Sequence, residues 1–316
     1  MAEEITQALV KTKPRREHRL LVRLRGIPLP VWLIAPTFLI VFGLLVYPML
    51  FGSVLGFSNR VLIGSDKFKW VGLANYAKLL TPGSDFLTAA GVTLRFALID
   101  VAAEFAIGLG LALLLNREFF ARNLFRVLIL IPLMVPPLAA GLMWRFMYDQ
   151  SQGVYSYFIR VLGGNPPVFL GDPKIALFAL VATEVWRSSP FMVLVLLAAL
   201  QSIPRELQEA AQVDGASSLQ GFWYITLPFI SPVIAVALLF RTVDSLRTFD
   251  LVYLMTGGGP GTVTEVISMY IYRWGFRNFR LGFTSASSMI LLFATLVICA
   301  IYLRMLVRRQ AYLQGD

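Results

Sequence analysis

Polar and charged side chains interrupt two long apolar stretches of this 316-residue chain at helical spacing. The first set comprises Glu184, Arg187, Ser188 and Phe191, and the second comprises Arg241, Asp244, Ser245 and Thr248. Each set follows i, i+3, i+4 and i+7 and therefore lies on one face of a helix. A charge at the centre of a bilayer costs at least about 2.5–3.5 kcal/mol, so such residues usually face a partner or a cavity. The spacing predicts a polar cavity whose groups can hydrogen-bond hydroxyls.

A second interpretation of the same spacing is neutralisation along each helix. Glu184 and Arg187 stand three residues apart, as do Arg241 and Asp244, and pairing at that distance makes an apolar helix easier to insert. The two interpretations are compatible, because paired charges can also bind a solute.

Asp100 and Glu104 lie one helical turn apart in another apolar stretch. Two carboxylates can perform acid–base chemistry on a glycosidic bond, but they must then oppose each other across the sugar. A pair on one helix does not meet that requirement. We therefore expect these carboxylates to be structural or gating partners of a basic residue, with Arg187 and Arg247 as the candidates.

The composition requires a largely apolar environment for these elements. The chain is 57% apolar and 15% charged, with a mean hydropathy of +0.71, whereas soluble domains carry about 25% charged residues. The net charge of +10 is spread over the N-terminal segment and the loops, which argues against a nucleic-acid-binding groove. One histidine, His18, and one cysteine, Cys299, leave almost no material for a His/Cys metal site.

Six stretches are long and apolar enough to cross a bilayer, which takes about 20 residues. They are 30–52, 88–115, 124–147, 174–200, 229–256 and 283–306. The basic residues before Gly26 favour a cytoplasmic N-terminus, and the even number of spans then puts the C-terminus on the same side. The fold class is all-α, a polytopic membrane protein with six transmembrane helices. Its parts are a basic segment 1–28, a membrane domain 29–308 and a tail 309–316.

The longest predicted cytoplasmic connection, about 202–228, has the pattern of a short helix. Ser202 is a candidate N-cap, Pro204 suits the first turn, and Asp214-Gly215 ends the helix, because glycine adopts the left-handed cap conformation readily. A second short helix is expected over 216–224. Two alanines on the face of the first helix would let another protein approach closely.

This connection resembles the EAA loop of binding-protein-dependent ABC importer permeases. The matching residues are Glu209, Ala210, Ala211, Gly215, Ile225, Leu227 and Pro228. The resemblance implies a coupling helix that docks on an ATPase subunit, with Glu209 pairing with a basic residue there. Asp214 is included in the predicted ATPase-coupling site because it shares the helix face of the alanines.

Further motifs are similar to the carbohydrate-uptake branch of that family, of the MalF/UgpA type. They are Tyr47-Pro48, 70–76, 240–253 and 256–260. We expect the chain to resemble the six-span minimal form of this branch, without the additional N-terminal spans and the large external domain of the maltose subunit. In the resembling maltose system the substrate-contacting positions lie on the fourth and fifth spans. An ungapped match places them on the two polar stripes of this chain, the set from Glu184 to Phe191 and the set from Arg241 to Thr248. Arg247 and Asp250 fall off these stripes and are assigned to packing with a partner permease.

The resemblance implies a type I ABC importer permease that forms half of a sugar pathway in a bacterial or archaeal cytoplasmic membrane. The implied partners are a MalG-type permease, two cytoplasmic ATPase subunits, an extracytoplasmic solute-binding protein and the sugar, without nucleic acid. The chain has no G-x-x-x-x-G-K-[ST] phosphate loop, so we expect no catalysis and no cofactor of its own, with ATP and Mg²⁺ held by the ATPases.

Two alternatives concern cargo and mechanism. The same architecture could import a polyol, a glycerol phosphodiester or an oligopeptide, because Arg187 and Arg241 could also bind an anion. An ion-coupled secondary transporter is a more distant alternative. It predicts inverted repeats and no docking loop, and the sequence meets neither expectation.

Overall fold

The structure is a computed structural model that describes residues 29–63 and 68–314. The predicted basic segment 1–28 lies outside the described residues. The chain divides at Val54–Leu55 into two units. The smaller one contains most of the apolar helix Leu33–Leu55, which corresponds to the first predicted span, 30–52. The apolar side chains of this helix are exposed on all its sides. A helix that is hydrophobic all round is typical of a membrane span.

Fourteen α-helical segments occur within the described ranges. They are α1 (Leu29–Val41), α2 (Tyr47–Leu55), α3 (Ala74–Leu80), α4 (Asp85–Asn116), α5 (Arg122–Leu130), α6 (Pro137–Met147), α7 (Val154–Val161), α8 (Ala176–Gln201), α9 (Arg205–Val213), α10 (Ser218–Gly221), α11 (Leu227–Leu246), α12 (Asp250–Met255), α13 (Ile267–Tyr272) and α14 (Leu281–Gln314). Single π-helical turns join α1 to α2 and α10 to α11, and another follows α13.

Five helices are long and apolar enough to cross a membrane, and a sixth span is possible as a bent pair. The five are Leu33–Leu55, Asp85–Asn116, Ala176–Gln201, Ser218–Leu246 and Leu281–Val307. The all-α fold with six predicted spans is thus confirmed, with one difference. The third predicted span, 124–147, is two helical pieces, Arg122–Met134 and Pro137–Met147, that meet at 97°.

Proline chemistry explains the bend in the third span. Val135 has an extended backbone (φ −79°, ψ 121°), because the ring of the following Pro136 disfavours helical geometry in the preceding residue. Pro137 then starts α6, where its missing N–H leaves no hydrogen bond unmade. Pro190, by contrast, lies inside α8, which continues through it to Gln201.

The fifth predicted span, 229–256, is also divided. Its long helix α11 ends at Leu246, and residues 247–249 separate it from the short helix α12. The polar run Arg247-Thr248 therefore lies at a helix end and not in the middle of a span. The glycine-rich turn after α12 leads to α13.

The core of the larger unit forms where α4 packs along α8. Phe96 on α4 and Leu180 and Leu196 on α8 are fully buried in this contact. Helix α11 packs against α4, α8 and α14, so that the helices carrying the predicted substrate-pathway residues meet beside α4. This arrangement positions the polar stripes of α8 and α11 beside the carboxylates of α4.

Candidate functional site

Arg241 is the centre of a buried polar cluster. It lies on α11 and is 4% exposed. Its Nε and Nη2 atoms donate hydrogen bonds of 2.6 Å to Oε2 and Oε1 of Glu104 on α4. Such a two-point guanidinium–carboxylate contact fixes geometry as well as charge.

The same guanidinium reaches three further carboxylates. Nη2 lies 3.2 Å from Oε1 of Glu184 on α8 and 3.8 Å from Oδ2 of Asp100 on α4. Nη1 lies 3.4 Å from Oδ2 of Asp244, one turn along its own helix. Arg241 therefore ties the three helices α4, α8 and α11 together through charge.

Hydroxyl and guanidinium donors complete the cluster. Glu184 accepts hydrogen bonds from Arg187 and from the Ser188 hydroxyl, the latter at 2.9 Å. The Ser245 hydroxyl donates to Asp100 Oδ2 at 2.7 Å. The other carboxylate oxygen of Asp100, Oδ1, is buried and accepts no hydrogen bond from any described residue.

The donor set favours an ion-pair cluster over a metal centre. Asp100, Glu104 and Glu184 can bring one oxygen each within 4.8 Å of one another. However, both oxygens of Glu104 and Oε1 of Glu184 already accept hydrogen bonds from Arg241. A metal cation bound there would lie against the guanidinium, which repels it. We therefore interpret the cluster as a set of oriented charges that supports one wall of a cavity.

A cavity of about 410 Å³ opens beside this cluster. Seven of the eight residues predicted for the substrate pathway line it: Glu184, Arg187, Ser188, Phe191, Arg241, Asp244 and Thr248. The eighth, Ser245, is 1% exposed and lies behind the wall, where it contacts Asp100. The structure thus brings the two stripes to one cavity, as antiparallel packing of their helices requires.

Sequence reasoning missed several residues of this cavity. Arg247 and Asp250, which had been assigned to subunit packing, line it, as does Phe249 between them. Leu133 and Pro137 enter from the two pieces of the broken third span. The polar run Arg247-Thr248 could have indicated the end of α11. The predicted fifth span continued through this run to residue 256, so the helix end was missed.

The predicted partner of the α4 carboxylates was wrong. Asp100 and Glu104 contact Arg241, and neither Arg187 nor Arg247 forms an ion pair with them. Both intrahelical pairs are present, Glu184 with Arg187 and Arg241 with Asp244. Arg241 forms ion pairs both between helices and within its own helix, because it faces α4 and still reaches Asp244.

The predicted coupling loop forms α9 and α10. Gly215 ends the first helix with a φ of +79°, the left-handed conformation expected from its sequence position. Ser202 is not the N-cap: its hydroxyl donates to the Ala199 carbonyl at the end of α8, and Pro204 precedes α9. Ser217 and Gln220 form a capping box that starts α10.

The second loop helix is not separate from the membrane. From Ser218 the chain runs through a π-helical turn into α11 without a break, past Leu227 and Pro228. Glu209, Ala210 and Asp214 are exposed and Ala211 is half-buried. Leu227 and Arg241, 14 residues apart on α11, are separated by roughly 21 Å of continuous helix. The second loop helix is therefore continuous with the helix that carries Arg241.

Aromatic residues of α6, α7 and α8 form a packed core beside the cavity. Trp144 contacts Tyr148, Tyr155 and Trp186 with ring centroids 5.4–5.8 Å apart. Trp144 and Tyr148 are each only 8% exposed. These rings stabilise the contact between α6, α7 and α8, and they do not line the cavity.

Residues 105–311 match the family described as binding-protein-dependent transport system inner membrane component. A probable ABC transporter permease, y4oQ of Sinorhizobium fredii, is 39% identical over 95% of this chain and 94% of its own length. The trehalose/maltose transport system permease protein MalF of Thermococcus litoralis is 37% identical over 86% and 91%. The crystal structure of a bacterial ABC transporter involved in the import of the acidic polysaccharide alginate superposes with a TM-score of 0.78 at 26% identity, covering 92% and 99%.

These matches include α9–α11 and most of the polar cluster, so the loop and the cavity lie within the shared region. The chain belongs to the family of binding-protein-dependent transport system inner membrane components.

Proposed function

We propose that this chain is the permease subunit of an ATP-driven importer and forms half of a pathway for a sugar. The observation that carries this proposal is the cavity, in which guanidinium, carboxylate and hydroxyl groups converge within about 410 Å³. A sugar presents hydroxyls that both donate and accept hydrogen bonds. Fixed charges on the cavity wall supply partners for both kinds of bond.

The trehalose/maltose permease relative supports sugar as the cargo class. The eight residues of the two stripes are the proposed pathway residues, and Asp250 joins them at the mouth. Four carboxylates surround Arg241 and offset its positive charge, which weakens the case for an anionic cargo at this residue.

Coupling to ATP hydrolysis is proposed for the loop that contains Glu209, Ala210, Ala211, Asp214, Gly215, Leu227 and Pro228. Its exposed helix α9 offers a carboxylate and a small-residue face for docking. Because α10 runs into α11, a displacement of the loop would move Arg241 and the cavity wall as one body. This path is a mechanical link from the loop to the site.

The remaining parts of the assembly follow from this role. The chain is proposed to act without catalysis of its own and without a cofactor, in complex with a MalG-type permease, two ATPase subunits that bind ATP and Mg²⁺, and an extracytoplasmic binding protein. Both termini would lie on the cytoplasmic side of a bacterial or archaeal membrane, in agreement with the basic residues before Gly26.

Purification of the tagged chain from its native membrane tests the assembly. We expect a second permease and an ATPase to accompany it. The purified complex is then placed in liposomes with the binding protein, and ATP-dependent uptake of labelled glucose, trehalose, maltose and maltotetraose is measured. Uptake that follows an ion gradient and needs no ATP would indicate a secondary transporter. Failure to take up any sugar of the panel would contradict the proposed cargo.

A further inference from the structure

Four aromatic side chains form a continuous surface that begins at the cavity. Phe249 lines the cavity and contacts Tyr253 and Tyr272, and Tyr272 in turn contacts Phe276. We call Phe249, Tyr253, Tyr272 and Phe276 the aromatic track. Phe276 is 69% exposed, and the other three rings are half-buried.

The ring geometry is regular. Phe249 and Tyr253 stack at 5.4 Å with 22° between their planes, and Tyr272 and Phe276 stack at 5.4 Å with 23°. The two pairs are joined by the Phe249–Tyr272 contact at 5.2 Å. Each pair is spaced i, i+4 along a helical segment, so both rings of a pair lie on one face.

The glycine-rich turn after α12 holds the two pairs together. Gly257 and Gly258 have φ values of +61° and +93°, which reverse the chain between α12 and α13. The Thr264 hydroxyl donates to the Gly259 carbonyl at 2.6 Å and stabilises the reversed segment. Beyond the turn, Glu265 pairs with Arg273 at 3.0 Å.

Charged side chains flank the track at both ends. Arg247 and Asp250 are exposed beside Phe249, and Arg277 is exposed beside Phe276. Phe249, Tyr253 and Tyr272 also pack against the buried core of the larger unit, and each remains partly exposed. Aromatic side chains with a few polar groups at their margins are common in small-molecule sites.

We propose that the aromatic track is a saccharide-binding subsite that leads a di- or oligosaccharide into the cavity. This inference rests on the proposed sugar transport. The C–H groups on the face of a pyranose ring carry partial positive charge, and the face of an aromatic ring is negative, so the two attract. The hydroxyls at the sugar's edge would then meet Arg247, Asp250 and Arg277.

Continuity with the cavity argues for a sugar as the occupant. Phe249 belongs to both surfaces, so a chain of sugar rings bound along the track would place its leading ring among the polar groups of the pathway. The track offers two steps, of 5.2 and 5.4 Å, from Phe249 through Tyr272 to Phe276. A single sugar ring can occupy only part of it, whereas an oligosaccharide can occupy all of it.

The test compares Tyr272→Leu and Phe276→Leu with Phe293→Leu in the reconstituted complex. Phe293 on α14 has the same exposed fraction, 69%, but lies outside the track. For maltotetraose we expect each track variant to raise the KM of uptake roughly fivefold. The KM for glucose should change by less than twofold, Phe276→Tyr should retain the wild-type KM, and Phe293→Leu should have no effect.

The outcomes separate this inference from the proposed function. If the wild-type complex takes up no sugar of the panel, both the proposed sugar transport and the proposed subsite are wrong. If it takes up maltotetraose and the track variants match Phe293→Leu, or change glucose and maltotetraose equally, only the subsite is wrong. If the track variants fail to co-purify with the second permease, the surface is a subunit interface and the subsite is again wrong.

Discussion

Arg241 and Glu104 are 137 residues apart in the sequence, yet the guanidinium of the first donates two hydrogen bonds of 2.6 Å to the carboxylate of the second. Both side chains are almost completely removed from solvent. This contact joins α11, which continues from the coupling loop, to α4, which forms the core with α8. The position of the cavity wall therefore depends on a buried ion pair.

We expect Arg241→Met to lower the stability of the protein by about 3–5 kcal/mol, because it leaves the buried carboxylates of Glu104 and Asp100 without their cation. Thermal unfolding of the detergent-solubilised protein measures the change. The double variant Glu104→Met with Arg241→Met should lose less than the sum of the two single variants. Losses that add to within about 0.5 kcal/mol would show that the pair contributes no coupling energy.

Asp244 provides a contrast, since its side chain is 65% exposed at the cavity. We expect Asp244→Asn to leave the melting temperature unchanged and to reduce sugar uptake roughly tenfold, as loss of one charge-assisted hydrogen bond to the cargo would do. Glu118→Gln, an exposed carboxylate outside this cavity, serves as the control. Wild-type uptake by Asp244→Asn would remove this residue from the pathway.

Gly215 is a backbone requirement of the coupling loop. Proline cannot adopt its φ of +79°, because the proline ring fixes φ at about −65°. Proline also lacks the N–H that Gly215 donates to the Gln212 carbonyl at 3.1 Å. Gly215→Pro should therefore abolish uptake while the protein still inserts into the membrane. Gly215→Ala, which costs about 1–2 kcal/mol of local strain, should reduce uptake partially.

The control for this position is Gly221→Ala in α10. Gly221 is helical, and a Cβ there would meet no atom within 4 Å. Uptake by Gly221→Ala should equal that of the wild type. If Gly215→Pro transports at the wild-type rate, the loop does not need its left-handed turn.

Substitution of Glu209 tests whether its negative charge is needed for docking on the ATPase. The side chain is exposed and forms no ion pair in the chain itself, as far as the described residues show. Glu209→Lys should leave the melting temperature unchanged but abolish both uptake and recovery of the ATPase in co-purification, because it reverses the charge offered to the partner. Glu206→Lys, also exposed on α9, should retain both activities. Equal behaviour of the two variants would contradict a specific role for Glu209.

Gly108 lies where α4 approaches α8 closely. A Cβ at this position would collide with the Cβ of Met192, and small residues permit such close packing between membrane helices. Gly108→Ala should lower stability by about 1–3 kcal/mol. Gly110→Ala, which faces open space, should be neutral or slightly stabilising. Melting temperatures that shift equally would show that this contact is not tight.

The fold class and the family could be predicted from the sequence. Apolar stretches of about 20 residues can satisfy their backbone only as helices in a bilayer, and this requirement is local. The end of α9 at Gly215 was equally predictable, because a left-handed cap depends on one residue type. The stripes of α8 and α11 followed from helical spacing, and their convergence on one cavity followed from the antiparallel order of the two helices.

The ion-pair partners and the exact helix ends depend on tertiary packing. The choice of Arg241 for Glu104 depends on how α4 and α11 rotate against each other, which side-chain volumes along the whole contact determine. Pro136 permits the 97° bend of the third span, but a proline alone does not predict a break, because α8 continues through Pro190. The end of α11 at Leu246 likewise depends on packing. The aromatic track could not be predicted from the sequence for the same reason. Its two i, i+4 pairs meet because the glycine-rich turn brings α13 back towards α12.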